Sequence, residues 1–363
     1  MNIGIPKERV GGEERVGLTP AGVGLLKRAG HSCYLESGAG SAAGFDDYDY
    51  ERNGAIIVTE TEALYAKADL ILKVLRPTSE EIAWMHPGQI VMGFLGLMAA
   101  PKAELEALAA QKATLVAYEM ITPDGVDYPI LKTMSEVTGR MAPYIAGTLL
   151  MRNHGGRGVL LNGVPGVSAG EVLILGAGTL GVNAARAFLG LGAKVFLLSR
   201  SLERLRRLDA QLNGQITTMI SHDFNIAHVL RFADVVVGAV RSPGERAPQL
   251  ISRQMLRTMR RGAAILDFSI DHGGCVETSR PTTLAAPTFI EEDVVHYCVP
   301  NVPGAVPRTS THAFNNAAWP FIQALIESGP ATAFAHVQEL KRAVIIRNGD
   351  IVDEKLDVML RKS

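Results

Sequence analysis

The sequence has 363 residues and an almost balanced charge, and these two facts exclude several classes of protein. It carries 36 Lys+Arg against 37 Asp+Glu, so it lacks the basic surplus typical of nucleic-acid binders. No apolar run reaches the ~18 residues of a membrane span, and the first residues lack a signal-peptide core, so we expect a cytoplasmic protein without membrane contact. Three cysteines (Cys33, Cys275, Cys298) are too few for a disulfide framework and form no CxxC pair, so we expect reduced thiols and no metal site.

The first part of the chain alternates short apolar runs with amphipathic segments, which is typical of βαβ units around a parallel sheet. The pattern predicts strands at 1–5, 32–35, 55–58, 69–74, 89–94 and 114–119. It predicts helices at 20–29, 60–68 and 102–111. Thr19 and Pro20 form a capped start for the first of these helices, and Gly30 provides its stop.

A second α/β region follows the glycine-rich stretch 154–170. The apolar pattern predicts strands at 172–175, 194–198, 234–239 and 263–268, a helix at 182–190, and flanking helices at 131–151 and 310–327. The prediction is therefore an α/β protein with two Rossmann-like domains. The dinucleotide-binding domain, 131–309, is inserted in a discontinuous substrate domain, 1–130 and 310–363.

The segment GAGTLG directly follows the predicted strand 172–175 and precedes a helix, as a dinucleotide-binding loop requires. Gly176 makes the tight turn, Gly178 lets backbone N–H groups approach a pyrophosphate, and Gly181 lets the helix pack close to the strand. The alternative is an ordinary glycine-rich strand-turn-helix. The position of the loop favours the dinucleotide interpretation.

The end of the next strand indicates which dinucleotide is bound. Ser199 and Arg200 occupy the place where NAD-binding proteins carry an acidic residue for the ribose 2′-hydroxyl. A serine hydroxyl and a guanidinium can instead bind a 2′-phosphate. We therefore expect NADP(H) to be preferred. NAD(H) is left open, because the alternative is that Arg200 is a solvated surface charge and the site accepts either cofactor.

Several segments, in order along the chain, resemble the alanine dehydrogenases, a family related to the cofactor domain of the membrane transhydrogenases. They are GIPKE, ERVGLTPAGV, ILKV, MSEVTGRMA, GGRGVLLNGVPGV, GAGTLG, DHGGC and VPNVPGAVPRTST. The resemblance covers nearly the whole chain. It implies a nested Rossmann-type domain, a cleft active site, and hydride exchange between nicotinamide and a carbon that bears nitrogen.

The resemblance also implies roles for individual residues. Arg15 and Lys73 match the family residues that hold the substrate carboxylate and carbonyl oxygen, and Asp271 matches the active-site aspartate near the nicotinamide. Asn301 matches a residue beside the same ring, and Ser135 and Glu136 help to position the cofactor. Taken singly, each is also explained as a surface charge, a loop cap or a helix cap. The full predicted cofactor set is Gly176, Gly178, Thr179, Leu180, Gly181, Ser199, Arg200, Ser135, Ala239, Val240, Asp271 and Asn301.

One position departs from the family pattern. Relatives carry FLHLAA, whose histidine binds the substrate oxygen and acts as acid and base, whereas this chain reads FLGLMAA with Gly96 in that place. A glycine cannot transfer a proton, and it enlarges the substrate pocket. His272, where relatives have glutamine, is a candidate replacement in the catalytic set with Lys73, Asp271 and Arg15, although a loop histidine also serves as a structural hydrogen-bonding group.

These features predict an NADP(H)-dependent oxidoreductase that reduces an imine, formed from a 2-oxo acid and an amine, or a cyclic imino acid. The extended family includes carboxyethyl-ornithine synthases, which resemble this type of enzyme. One alternative is an L-alanine dehydrogenase with a rearranged proton path. Another is a non-catalytic protein that binds NADP(H) or an amino acid. The expected partners are a small-molecule substrate and further copies of the chain in a homo-oligomer.

Overall fold

The computed structural model describes residues 1–97, 100–241, 246–354 and 356–358. The chain divides into two compact units. Unit 1 contains Met1–Met134 and Pro303–Ser363, and unit 2 contains Ser135–Val302. In the described part of the chain, no helix has both the length and the apolar character needed to cross a membrane.

The strands are short and mostly apolar. In chain order they are β1 (Asn2–Ile5), β2 (Ser32–Glu36), β3 (Ala55–Val58), β4 (Leu70–Leu75), β5 (Ile90–Phe94), β6 (Thr114–Ala117), β7 (Glu171–Leu175), β8 (Lys194–Ser199), β9 (Thr217–Ile220), β10 (Val235–Gly238), β11 (Ala264–Asp267), β12 (Thr288–Glu291), β13 (Val294–Tyr297), β14 (Val344–Arg347) and β15 (Asp350–Ile351).

The helices connect these strands. They are α1 (Pro20–Arg28), α2 (Asp47–Arg52), α3 (Thr61–Lys67), α4 (Ser79–Trp84), α5 (Lys102–Ala110), α6 (Pro129–Leu149), α7 (Thr179–Gly190), α8 (Leu202–Gln211), α9 (Asp223–Leu230), α10 (Arg253–Leu256), α11 (Pro307–Ser328), α12 (Pro330–His336) and α13 (Gln338–Ala343).

Each unit contains one sheet with the strand order of a dinucleotide-binding fold. Unit 1 has the order β15-β14-β6-β5-β4-β1-β2-β3, and unit 2 has β12-β13-β11-β10-β7-β8-β9. The central strands are parallel, whereas β14, β15 and β12 pair antiparallel. The chain reverses its direction of winding between β1 and β4 in unit 1, and between β7 and β10 in unit 2. Ligands of open α/β sheets bind at the carboxyl ends of the strands beside such a reversal.

The predicted fold class, two Rossmann-like α/β domains with one nested in the other, is confirmed. Central strands such as β10 and β11 are buried along their whole length, because helices cover both faces of a parallel sheet. Helix α1 begins as predicted, with the Thr19 hydroxyl accepting a hydrogen bond from the N–H of Gly22 at 3.2 Å and Pro20 at the first helical position.

Several predicted boundaries are wrong by two or three residues. The predicted helices 131–151 and 310–327 are Pro129–Leu149 and Pro307–Ser328 in the structure. The predicted strand 114–119 ends at Ala117, because Tyr118–Met120 form a 3-10 turn. The predicted helix 182–190 begins earlier, at Thr179, because Gly178 is already its N-cap and the next residues make its first turn. Strands β9 and β12 to β15 were not predicted. They are four residues long or shorter, and β9 and β12 lack the continuous burial of the central strands.

Candidate active site

The glycine loop of unit 2 lies at the carboxyl end of β7, beside the reversal between β7 and β10. Gly176 has a φ of +114°, and a side chain there would overlap the carbonyl of Ala239. A Cβ at Gly181 would overlap the Gly176 carbonyl, whereas a Cβ at Gly178 would meet nothing within 4 Å. The first and third glycines are therefore required by packing. Gly178 leaves the start of α7 open for a ligand.

A cavity of about 520 Å³ opens at this edge of the unit 2 sheet. Its lining includes six residues of the predicted cofactor set: Gly176, Gly178, Ser199, Arg200, Ala239 and Val240. Of the remaining set, Thr179, Leu180 and Gly181 form the first turn of α7. Within the described residues, the lining does not include Ser135, Asp271 or Asn301.

The end of β8 supplies polar and basic groups to this cavity. Ser199 is 7% exposed, and its hydroxyl accepts a hydrogen bond from the N–H of Ser201 at 3.2 Å. Arg200 is exposed and lines the cavity together with Arg204 and Arg241. Among the described residues, three arginines and one acidic residue, Asp223, therefore line the cavity.

Sequence reasoning did not identify Ser201, Arg204 or Arg241. Arg204 lies one turn after Arg200, and Ser201 caps α8 by accepting a hydrogen bond from the Arg204 N–H at 3.3 Å. The segment SRSLER contained this signal, since a basic residue in the first turn of a helix lies beside the residues that precede the helix. Arg241 gave no comparable signal, because it follows β10 in a loop.

The loop after β11 is organised by the buried carboxylate of Asp267. Its Oδ2 accepts hydrogen bonds from the N–H of Cys275 at 2.8 Å and the hydroxyl of Ser279 at 2.7 Å, and its Oδ1 accepts from the N–H of Ser269 at 3.0 Å. The Ser269 hydroxyl in turn accepts from the N–H of Val240 at 3.1 Å. Asp267 therefore ties the loop that carries Asp271 to the end of β10.

Asp271 and His272 lie in a 3-10 turn of this loop, Ile270–His272. Loss of water around the carboxylate raises the pKa of Asp271 to about 6, although the side chain remains in contact with solvent. Partial burial, reinforced by the charge of Arg241, lowers the pKa of His272. Asn301 adopts a left-handed backbone with a φ of +54°, and Ser135 lies within α6.

In unit 1, Arg15 is buried and holds a carboxylate of its own chain. Its Nε donates to Glu13 Oε1 at 2.7 Å, its Nη2 contacts Glu13 Oε2 at 2.5 Å, and its Nη1 lies 3.1 Å from the sulfur of Met134. The guanidinium also lies over the ring of Phe94, 6.0 Å from its centroid. The planar end of Arg15 is therefore fixed before any ligand binds.

Lys73 lies within β4 and has no exposed surface. Its Nζ donates to Glu81 Oε1 at 2.7 Å and lies 3.3 Å from Glu8 Oε2. The Tyr65 hydroxyl donates to the same Glu81 oxygen at 3.2 Å. The predicted substrate residue is thus part of a buried cluster of charges.

Gly96 follows β5 and adopts a left-handed backbone with a φ of +54°. Its N–H donates to Glu119 Oε1 at 2.6 Å, and the carbonyl oxygens of Leu95 and Gly96 accept from Arg76 Nη1 at 2.9 and 3.3 Å. A Cβ at position 96 would meet only that Arg76 nitrogen, at 3.7 Å, which is ordinary contact. There is space for a side chain here, but the backbone favours glycine. Met98 and Ala99 of the same segment lie outside the described residues.

Comparison with known proteins identifies the family. The model of the alanine dehydrogenase/PNT N-terminal domain matches residues 4–138, and that of the C-terminal domain matches residues 142–354. The chain belongs to the alanine dehydrogenase/PNT family. It is therefore an oxidoreductase that uses a pyridine nucleotide.

Members of this family resemble the chain over almost its full length. It is 42% identical to an alanine dehydrogenase of Mycobacterium tuberculosis (98% of this chain, 96% of the relative) and 43% identical to one of Halomonas elongata (97% and 94%). A solved L-alanine dehydrogenase superposes with a TM-score of 0.96 at 37% identity, covering 100% and 99% of the two chains. A transhydrogenase from Sinorhizobium meliloti shares the fold, with a TM-score of 0.83 at 23% identity and coverage of 98% and 100%.

Proposed function

We propose that unit 2 binds NADP(H) and that unit 1 binds the substrate. The glycine loop and the cavity beside it fit a dinucleotide, because Gly178 leaves open space at the start of α7. The absence of a carboxylate at Ser199, together with Arg200 and Arg204, supports a phosphate-bearing ribose. NAD(H) remains a second, weaker cofactor of the same cavity.

We further propose that the enzyme reduces an imine, formed from a 2-oxo acid and an amine, or a cyclic imino acid. The observation that carries this proposal is Gly96, which lies at the carboxyl end of β5 and leaves open space where a side chain would lie. Deamination of a primary amine to an oxo acid needs a proton-transferring group for the added water. Reduction of an imine needs fewer proton transfers, and the open space accommodates a substituent on nitrogen.

The proposed roles of the side chains follow from their chemistry. Arg15, held in place by Glu13, binds the substrate carboxylate with its guanidinium, and Lys73 orients the nitrogen of the imine. Asp271 stabilises the positive charge of the iminium with its carboxylate, which is charged above its raised pKa of about 6. When bound, the reduced cofactor supplies the hydride.

A second candidate function is L-alanine dehydrogenase activity, which would convert L-alanine to pyruvate and ammonia. It is supported by the 42% identity to relatives that carry this name. In that case another group must replace the missing acid and base, and His272 is the candidate from the sequence. The two functions make opposite predictions about ammonia as the nitrogen donor.

The deciding experiment measures NADPH and NADH oxidation with pyruvate and a panel of amines that includes ammonia. We expect turnover with primary amines or amino acids to exceed turnover with ammonia by at least about tenfold. Ammonia as the best donor, with L-alanine oxidised in the reverse direction, would establish the second function instead. A panel of cyclic imino acids tests the remaining substrate class.

Substitutions at β8 test the cofactor preference. Ser199→Asp should reverse the preference towards NADH, because a carboxylate repels a 2′-phosphate and accepts bonds from the ribose hydroxyls. Arg200→Ala should weaken NADPH binding by about tenfold and leave NADH binding unchanged. Arg206→Ala, an exposed arginine of α8 outside the cavity lining, is the control. Equal or tighter binding of NADH by the wild type in calorimetric titration would refute the preference.

We also propose that the enzyme assembles as a symmetric homo-oligomer, on the strength of the family resemblance. Light scattering coupled to size-exclusion chromatography tests this directly. A monomer at micromolar concentration would contradict it.

A further inference from the structure

The cluster around Lys73 contains more negative than positive charge. Its positive members are Lys73 and Arg9, and its negative members are Glu8, Glu36 and Glu81. Glu81 contacts Lys73 at 2.7 Å and Arg9 at 3.8 Å, and Glu36 contacts Arg9 at 2.7 Å. With every group ionised, the cluster would carry a net charge of −1. An uncompensated buried charge is costly, and one added proton would neutralise the cluster.

The carboxylate of Glu8 is the place in the cluster where a proton fits. Glu36 and Glu81 have hydrogen bonds to both of their oxygens, including the N–H of Lys7 to Glu36 and the N–H of Thr78 to Glu81, each at 2.8 Å. Glu8 Oε1 accepts from the N–H of Val74 at 2.7 Å, but Oε2 is buried without a hydrogen bond among the described residues. That oxygen lies 3.3 Å from Lys73 Nζ.

The position of Glu8 in the sheet is that of a ligand-binding residue. It follows the end of β1, and its side chain binds β4 at Val74, so it bridges the two strands between which the winding of unit 1 reverses. Lys73 has no exposed surface and Glu8 has a side-chain exposure of 1%. Before a substrate enters, bulk water does not reach Lys73, so the nearest replacement for a proton that leaves its ammonium is one on Glu8.

We propose that Glu8 carries a proton in the resting enzyme and returns it to Lys73 after Lys73 has protonated the nitrogen of the bound imine. This inference rests on the proposed imine reduction. An N–H bond of Lys73 breaks as the imine nitrogen gains that proton, and the electron pair left on Nζ takes the proton from Glu8 Oε2. The hydride of the reduced pyridine nucleotide adds to the imine carbon. One hydride and one proton thus convert C=N to CH–NH. Glu8 ends as a carboxylate, and it regains its proton between turnovers through the small part of its side chain that solvent reaches.

The groups around Glu8 include some that raise its pKa and some that lower it. Burial raises the pKa of Glu8, and the charges of Glu81 and Glu13 raise it further. Lys73 and the N–H of Val74 lower the same pKa, but burial is the largest effect. Because the protonated form is the active one, turnover should fall as the pH rises through this pKa. Glu8 acts through Lys73 and does not touch the substrate.

The test compares Glu8→Gln, Glu8→Asp and the control Glu80→Gln in the full-length enzyme. Glutamine keeps an oxygen for the Val74 N–H but cannot deliver a proton. We expect Glu8→Gln to lower kcat for imine reduction by about 10²-fold with little change in KM, and to abolish the alkaline limb of the kcat profile. Glu8→Asp should keep the fall in kcat at high pH, and so should Glu80→Gln, which removes an exposed carboxylate of α4 outside the cluster.

A second measurement does not depend on turnover. The infrared difference spectrum, wild type minus Glu8→Gln, should contain the carbonyl band of a protonated carboxylic acid at neutral pH. If Glu8→Gln does not fold, the same band is sought in the wild type and should shift in Glu8→Asp. Absence of the band, or a wild-type kcat and pH profile in Glu8→Gln, would overturn the relay. Absence of turnover with every amine would instead remove the proposed function, and the relay with it.

Discussion

Substitutions at Gly96 can separate the effect of backbone strain on activity from the effect of pocket size, because this glycine has a left-handed backbone. Any other residue at a φ of +54° is strained by about 1 kcal/mol or more, and asparagine tolerates this region better than most. We expect Gly96→Asn to keep most imine reduction and Gly96→His to reduce it by about 10²-fold, because the larger ring displaces the substrate. Steady-state kinetics of imine reduction, measured for each variant with the best amine, tests this expectation. Higher activity in Gly96→His would show that the glycine does not serve to enlarge the pocket.

Ionisation of Asp271 should determine how enzyme activity falls at low pH, the acidic limb of the pH–activity profile. Its pKa is raised to about 6, so the charged form that stabilises an iminium is lost as the pH falls below that value. We expect kcat/KM to decrease below about pH 6, and Asp271→Asn to remove this limb and lower kcat by about 10²-fold. His272→Gln is the matched control in the same turn. If the limb disappears in His272→Gln instead, the histidine is the titrating group.

The residue-level features differ in how far the sequence alone could predict them. The glycine loop and Ser199 were predictable, because their chemistry depends on neighbours within about 25 residues. The pairing of Glu8 with Lys73 was not, since it requires β1 and β4 to lie side by side although they are far apart in sequence. The sequence likewise could not reveal that Arg15 is held by Glu13 and that Lys73 is fully buried.

At the scale of elements, the contact between β7 and α7 depends on Gly181. A methyl group there would overlap the carbonyl of Gly176, so Gly181→Ala should push the start of α7 away from the strand. We expect NADPH affinity to fall by at least about tenfold while overall helicity is kept. The control is Gly190→Ala at the other end of α7, where a Cβ meets nothing within 4 Å and helix propensity improves by about 0.5–1 kcal/mol. Equal affinity in both variants would contradict this account of the turn.

Elements with continuous apolar runs were predicted well, whereas the antiparallel edge strands were not. Strand β14 pairs with β6 through residues more than 200 positions away, and its register shifts between Val344 and Ile346. The β14–β15 hairpin does carry a local signal, because Asn348-Gly349 between the two strands is a dipeptide typical of two-residue hairpin turns. The pairing of β14 with β6 is set by tertiary contacts and leaves no such signal. The start of α7 at Thr179 was also missed, because the last residues of the glycine-rich loop form the first turn of the helix.

At the scale of the whole molecule, the division into two units predicts an uneven response to cofactor. A ligand that binds only unit 2 stabilises it by about 2.7 kcal/mol at a concentration of 100 times Kd. We expect calorimetry to show two unfolding transitions. NADPH should raise the midpoint temperature of the unit 2 transition and change that of unit 1 much less. Domain-specific proteolysis fragments would assign the two transitions. Equal shifts of a single transition would show that the two units unfold together.

The discontinuity of unit 1 also determines the order in which the protein is completed during synthesis. Residues 135–302 emerge as one uninterrupted stretch and can form their whole sheet at once. Strand β6 cannot pair with β14 until more than 200 further residues have left the ribosome. During that interval the β6 edge is unpaired, and unpaired strand edges promote association between nascent chains. The late C-terminal strands therefore protect this edge from aggregation, and truncations that remove them should reduce the soluble yield of newly made chains.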